Sequence, residues 1–149
     1  ISRPQSRGTV LAKSNNPREL PALDPNFFAV ADDLRVMRDG LKISRDIVSQ
    51  KAFDDIRGTE YGPGSHVTSD ADMNEYIKNN CNSVYHPVGT CKMGSDDQAV
   101  VDDRLRVRGI EGLRVVDASI MPTLTSGNTN APTIMIGEKA ADIILKKAA

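Results

Sequence analysis

Two histidines carry most of the acid–base chemistry available to this chain. His66 stands among glycine, serine and threonine in a polar segment, which favours a solvated side chain. His86 precedes Pro87, which pushes the histidine backbone toward an extended conformation, and its surroundings are apolar and glycine-rich. Such a setting can shift an imidazole pKa and aim the ring into a cleft. On these features His86 is either a structural residue or a general base.

Cys81 and Cys91 stand five residues before and after His86, which raises the question of a metal site. A closed zinc site needs four ligands, usually in closer pairs, and the neighbouring sequence supplies no further histidine or cysteine. We therefore predict no bound metal and interpret both cysteines as small hydrophobic residues. Two cysteines also favour a reducing compartment over a disulfide-rich secreted scaffold.

A second polar region follows the end of a β-prone segment. Asp117 and Ala118 close that segment, and residues 126–131 (SGNTNA) lead into the last helix. The first N–H groups of a helix have no intrahelical acceptor, so this loop can offer N–H groups and amide side chains to an electron-rich or anionic ligand. The same pattern also fits an ordinary loop whose asparagine caps the helix.

Three helices are expected to position these residues. Apolar residues at three- and four-residue spacing predict a helix over residues 31–50. Ser69 or Asp70 can cap a second helix. Pro132, suited to a first helical position, opens an amphipathic helix with lysines at 146–147 in its last turn.

Short strands are predicted between the helices. Residues 8–12 form a β-prone segment, and residues 100–108 and 113–116 flank a glycine-containing turn, which indicates strand, turn and strand. Three arginines share one face of the strand over 100–108. We interpret them as a solvated edge rather than a phosphate-binding strip, because acidic residues adjoin them and no aromatic residues interleave.

Length and charge limit the classes of function. The 149 residues correspond to about one domain, and the formal net charge of −1 provides no overall field to attract nucleic acid or anionic lipid. No apolar segment approaches the length of a membrane span, so we expect a cytoplasmic protein. The sequence contains no G-x-G-x-x-G, P-loop, C-x-x-C or H-E-x-x-H motif.

Three segments together carry a family resemblance. They are residues 85–94 (YHPVGTCKMG), 112–122 (GLRVVDASIMP) and 126–144 (SGNTNAPTIMIGEKAADII). In this order and spacing they resemble the C-terminal half of the glucose-methanol-choline (GMC) oxidoreductases. The opening residues 3–28 resemble the part of that family that precedes its long helix.

The resemblance implies an α+β fold: an antiparallel sheet with flanking helices, ending in a strand and a helix that return to an FAD domain. Residues 1–110 would mainly bind substrate, and residues 111–149 would pack on the FAD domain. In the family the G-x-G-x-x-G segment that binds FAD lies near the N-terminus of a longer chain. The sequence is therefore expected to be a C-terminal portion that needs the N-terminal FAD-binding portion as its partner.

The same resemblance implies roles for individual residues. His86 matches the histidine that assists loss of the hydroxyl proton while FAD takes a hydride from the alcohol carbon. Asn128 matches the amide or histidine opposite it, which holds the substrate oxygen. The expected contacts to FAD are Asp117, Ala118, Asn130, Ala131, Pro132 and Thr133.

The expected function is thus that of an FAD-dependent alcohol dehydrogenase or oxidase, similar to the choline and alcohol dehydrogenase branch. Its substrate would be a small alcohol, and its electron acceptor is left open. Two alternatives remain: a non-catalytic binding or assembly module that keeps the fold, and the family's lyase branch. Peripheral association with a membrane through an electron acceptor also stays open.

Overall fold

The computed structural model describes residues 1–145. The chain divides into two compact units. The first contains Ile1 and residues 3–82, and the second contains Ser2 and the residues from Ser83 onward. No helix within the described range is long and apolar enough to cross a membrane.

The first unit contains a small sheet and two of the three α-helices. Strands β1 (Thr9–Leu11) and β2 (Ala22–Asp24) pair antiparallel, with Val10 opposite Leu23. They are followed by helix α1 (Ala31–Ser49) and helix α2 (Asp70–Asn80). The structure confirms the strand predicted over 8–12 and the helix predicted over 31–50. Strand β2 was not predicted.

Two side chains fix the helices of this unit. Ser69 caps α2 through a reciprocal pair of hydrogen bonds with Asp72, as the sequence allows. Arg45 of α1 pairs with the Glu60 carboxylate at 2.8 Å and donates to the carbonyls of Gly64 and Val67. Because one guanidinium forms all these contacts, it ties the loop before α2 to the last turns of α1.

The second unit is built around one apolar cluster and helix α3 (Asn130–Ile144). A short 3₁₀ turn over Ala118–Ile120 packs against this helix through Ile120, Ile136 and Ala140. The remaining buried members are Val101, Leu105 and Met121. One core therefore holds both the helix and the turn.

Helix α3 differs from its prediction at its N-terminal end. It begins at Asn130, so Pro132 occupies the third helical position rather than the first. Proline is tolerated there because none of the first N–H groups of a helix has an intrahelical acceptor. The prediction for residues 146–147 lies outside the described residues.

The predicted hairpin over residues 100–116 forms only in part. Within residues 1–145 one antiparallel bridge, Arg106 with Arg114, joins the two predicted strands, whereas a second, Val101 with Val107, folds the first predicted strand back on itself. Leu105 has a φ of 63°, and the Asp102 carboxylate accepts hydrogen bonds from the N–H groups of Arg104 and Arg106. This side-chain turn competes with the ladder and interrupts the strand predicted over 100–108.

Candidate active site

The segment that carries His86 is anchored on the core of the second unit. Val88 packs against the apolar cluster, and Gly89 adopts a φ of 90° that few L side chains tolerate. A Cβ added at Gly89 would lie 3.3 Å from the carbonyl oxygen of Met121. This close approach and the packed valine hold the half-buried His86 at a defined place.

The chain after His86 is hydrogen-bonded to the segment that contains Asp117 and Ala118. Cys91 N–H donates to the Ser119 carbonyl at 3.0 Å, and Met93 N–H donates to the Ile120 carbonyl at 2.8 Å. These bonds join the histidine segment to the 3₁₀ turn. The structure therefore brings together two sequence regions that the resemblance assigned to catalysis and to cofactor binding.

Asp117 is exposed at the start of this turn. Its Oδ1 accepts a hydrogen bond from the Ser119 N–H at 2.7 Å, which caps the turn. Within residues 1–145 its second carboxylate oxygen makes no hydrogen bond, so that oxygen can accept one from a ligand hydroxyl. Ala118 is half-buried and packs against the apolar cluster.

Thr129, immediately before α3, was not singled out by the sequence analysis. It is 8% exposed and stands at the N-cap position, yet its hydroxyl makes no capping hydrogen bond. Instead Thr129 Oγ1 lies 3.0 Å from Nδ1 of His86. The structure thereby joins His86 to the loop that carries Asn128 and Asn130.

The loop and first turn of α3 present polar groups outward. Asn128, Asn130 and Ala131 are exposed, and in the described part of the chain no hydrogen bond ties down the Asn128 amide. Pro132 and Thr133 are half-buried. Thr133 donates two hydrogen bonds to the Thr129 carbonyl, one from its backbone N at 3.0 Å and one from Oγ1 at 2.6 Å.

These groups suit an electron-rich, hydrogen-bonding ligand such as the dinucleotide FAD. Asn130 and Ala131 lie in the first turn of α3, where N–H groups have no intrahelical acceptor and point toward a ligand. Asp117 offers an acceptor for a hydroxyl group. Donors and acceptor thus stand at the ends of two elements that share one core.

The residues that the sequence analysis set aside are His66, Cys81 and Cys91. His66 is exposed in the first unit. Cys81 and Cys91 are half-buried free thiols, and the described residues contain no cluster of three or more metal-ligating side chains.

Two of the three arginines of residues 100–108 make side-chain contacts within the fold. Arg106 pairs with Asp102 at 2.7 Å, and Arg108 donates to the Gly94 carbonyl at 2.7 Å. The hydrogen bond from Arg106, with those from two backbone N–H groups, lowers the pKa of Asp102 to about 2. These contacts favour the interpretation as a structured, solvated edge over a phosphate-binding strip.

Comparison with known sequences places the chain in a family. The sequence profile described as GMC oxidoreductase matches residues 4–137. An oxygen-dependent choline dehydrogenase from Cronobacter sakazakii is 51% identical over 142 residues, which are 95% of this chain and 25% of that protein. The chain thus spans about a quarter of the length of the curated relatives it matches.

Solved structures agree with the sequence comparison. Pyridoxine 4-oxidase from Mesorbium loti has a TM-score of 0.92 and 35% identity, and the match covers 100% of this chain and 29% of that one. A formate oxidase from Aspergillus oryzae RIB40, studied for modification of its FAD, also has a TM-score of 0.92 and 35% identity, covering 99% and 26%. These neighbours confirm the expected α+β fold. The chain therefore belongs to the GMC oxidoreductase family.

Proposed function

We propose that this chain provides the proton-handling residues and one wall of the flavin site of an FAD-dependent enzyme that oxidises the CH–OH group of a small alcohol. The observation that carries the proposal is the joining of His86 to the N-terminus of α3 through Thr129. One group that can exchange a proton and one helix end that can receive a cofactor thereby lie in the same cluster.

His86 acts in this proposal as the general base. An alcohol is a very weak acid, so its hydroxyl proton must be shared with a base of near-neutral pKa as the hydride leaves the carbon. His86 is the only histidine in the second unit, and an imidazole is the side chain whose ordinary pKa suits that task. The base accepts the hydroxyl proton and the product is an aldehyde or ketone.

Asn128 holds the substrate oxygen. Its amide can donate a hydrogen bond to the alkoxide charge that develops on that oxygen, but it cannot accept a proton at neutral pH. The exposure of Asn128 and its lack of a hydrogen bond within the described chain leave the amide available for this contact. Base and oxygen-binding group are then two different residues.

FAD, when bound, accepts the hydride from the alcohol carbon. The residues proposed to hold it are Asp117 and Ala118 at the 3₁₀ turn, and Asn130, Ala131, Pro132 and Thr133 at the start of α3. No G-x-G-x-x-G segment is present in the sequence, so the main dinucleotide fold is proposed to lie in an N-terminal portion outside these residues.

Residues 111–149 are proposed to pack on that FAD-binding portion, with residues 1–110 mainly serving the substrate side. Exposed apolar side chains support the proposed packing of residues 111–149: Ile134 and Met135 on α3 are each 58% exposed, and Leu113 is 48% exposed. Apolar side chains at such exposure favour contact with another apolar surface.

Choline is the leading substrate because relatives with that activity in their name share about half of the sequence. A quaternary ammonium group favours aromatic walls. The chain has 3 Tyr, 3 Phe and no Trp, so most of those walls are proposed to come from the FAD-binding portion. The solved neighbours, which carry other substrates in their names, make a panel of alcohols the appropriate assay.

The test is steady-state oxidation of this panel by the complete enzyme, meaning this chain joined to the proposed FAD-binding portion. With an artificial electron acceptor, His86→Ala is expected to lower kcat by about 10²–10⁴-fold, the usual contribution of a general base. His66→Ala is the matched control, since it removes the other histidine from an exposed loop, and it should leave kcat unchanged.

The alternatives give different outcomes in the same assay. A lyase leaves the artificial acceptor unreduced whichever alcohol is supplied. A non-catalytic module shows turnover that does not change in His86→Ala. Either result would contradict the proposed function.

A further inference from the structure

We infer that Thr129 is a positioning residue that fixes the orientation and the tautomer of His86. Its hydroxyl oxygen lies 3.0 Å from Nδ1 of the imidazole, across 43 positions of sequence. The contact is partly buried, because Thr129 is 8% exposed and His86 is half-buried. Shielding from water makes such a hydrogen bond more effective than one on the surface.

The backbone and side chain of Thr129 are themselves held. Its carbonyl oxygen accepts two hydrogen bonds from Thr133, from N at 3.0 Å and from Oγ1 at 2.6 Å. Threonine is branched at Cβ, so few χ1 rotamers are open to it. The Oγ1 atom therefore has a fixed position, which is what a group that orients another side chain requires.

The hydroxyl of Thr129 is not used as a helix cap. Threonine at an N-cap ordinarily accepts a hydrogen bond from an N–H group of the first turn, and here it makes none. Removing this hydroxyl therefore costs the helix no capping hydrogen bond. The hydrogen bond with His86 is therefore the role that the geometry assigns to the Thr129 hydroxyl.

The direction of the hydrogen bond decides what His86 can do. If Thr129 Oγ1 accepts from Nδ1–H, the neutral ring keeps its lone pair on Nε2, which is then available to a substrate proton. If the hydroxyl instead donates to Nδ1, Nε2 carries the hydrogen and cannot act as a base. The choice between the two rests on the proposed function, which needs a basic Nε2, so the inference is the first arrangement: Thr129 accepts, and Nε2 is the basic atom.

The tautomer can be read directly from this chain by ¹⁵N NMR of the imidazoles. The sequence has two histidines, so the spectrum contains the signals of two imidazole rings. The variant His66→Asn shows which of these signals belong to His86. In its neutral form, the His86 ring is expected to carry its hydrogen on Nδ1. Thr129→Val, which keeps the shape and removes the hydroxyl, should shift the ring toward the Nε2–H form, and Thr129→Ser should restore the Nδ1–H form.

A His86 ring that carries its hydrogen on Nε2 in the unaltered chain would overturn the inference. So would a tautomer unchanged in Thr129→Val, with folding checked by the backbone amide spectrum. The measurement on the unaltered chain decides the question even where a variant fails to fold. None of these readings depends on activity.

The kinetic consequence rests on the proposed function. In the complete enzyme, Thr129→Val should lower kcat by about 10–100-fold with little change in KM, because a displaced base loses reactivity rather than substrate affinity. Thr129→Ser should recover most of that loss. If His86→Ala abolishes turnover while Thr129→Val does not slow it, this inference fails and the proposed function stands. If His86→Ala has no effect, the proposed function itself fails.

Discussion

An imidazole can act as a base and an amide cannot, and this difference divides the polar chemistry of the proposed site between His86 and Asn128. The sequence identifies both residues because each lies in a distinctive segment, YHPVGT for the histidine and GNTNAPT for the asparagine. Thr129 carries no such signal. Its hydrogen bond to a residue 43 positions away appears only once the chain has folded.

Asn128 provides a prediction of its own. In the complete enzyme, Asn128→Ala should lower kcat by about 10²–10³-fold, the usual effect of removing one donor to a developing oxyanion. Asn128→Asp should be slower still, since a carboxylate repels the alkoxide charge. The measurement is kcat and KM for the alcohol that the panel selects.

Asn79→Ala serves as the control for these variants. Asn79 is an exposed residue near the end of α2 in the first unit, and its loss should leave kcat within about twofold of the unaltered enzyme. Unchanged turnover in Asn128→Ala would show that Asn128 has no part in the proposed mechanism. The role assigned to His86 would not be affected.

The sequence predicts helix α1 but not the contacts that hold the N-terminal segment of the chain to it. Asp33 is expected from its place in the first turn to complement the helix dipole. In the structure it is 4% exposed and accepts hydrogen bonds from the N–H groups of Gln5 and Ser6 and from the Ser6 hydroxyl. A carboxylate in the first turn thus also holds the N-terminal segment.

The environment of Asp33 predicts a dependence of stability on pH. Burial is the largest single influence and raises the pKa, but the hydrogen bonds from Ser6 and Gln5, with the charge of Arg7, hold the pKa below the ordinary value of 3.8. A carboxylate with a lowered pKa in the folded state stabilises the fold above the pKa of the unfolded chain. That contribution is lost as the pH falls below about 4 toward the folded pKa.

Asp33→Asn should therefore lower the free energy of unfolding at pH 7 by about 1.5–3 kcal/mol, because hydrogen bonds to a charged acceptor are replaced. The loss should shrink as the pH falls below about 4, where Asp33 itself becomes protonated. Urea unfolding at several pH values measures both effects. The half-buried neighbour Asp32, whose side chain is 46% exposed and pairs with Arg35, is the control: Asp32→Asn should cost under about 1 kcal/mol. Equal losses in the two variants would contradict the role given to Asp33.

The three helices could be predicted because their apolar spacing and, for α2, the Ser69 cap are local in sequence. Strand β2 could not, since its three residues stand between Pro21 and Pro25 and show no alternating pattern long enough to read. The hairpin over 100–116 alternates well, but the turn at Asp102 and the positive φ of Leu105 interrupt it. Such side-chain turns are decided by local hydrogen bonds that hydrophobic alternation does not report.

At the scale of the whole molecule, the family profile extends over both compact units, while the dinucleotide motif is absent from the sequence. If the main FAD fold lies outside these residues, the chain by itself offers only helix-end and turn contacts to the cofactor. We expect it to retain little FAD after gel filtration and to oxidise no alcohol. Absorbance of the protein peak measures this, with circular dichroism to confirm folding. Retained flavin that an alcohol bleaches would show that the chain is sufficient alone.

The central claim is that His86 takes the hydroxyl proton during hydride transfer. The most direct test is to mix the complete enzyme rapidly with the preferred alcohol in the absence of oxygen. Loss of the flavin absorbance reports the chemical step without any electron acceptor. We predict that the unaltered enzyme and His66→Ala bleach at the same rate and that His86→Ala bleaches about 10²–10⁴-fold more slowly. Equal bleaching rates in His86→Ala and the unaltered enzyme would contradict the account.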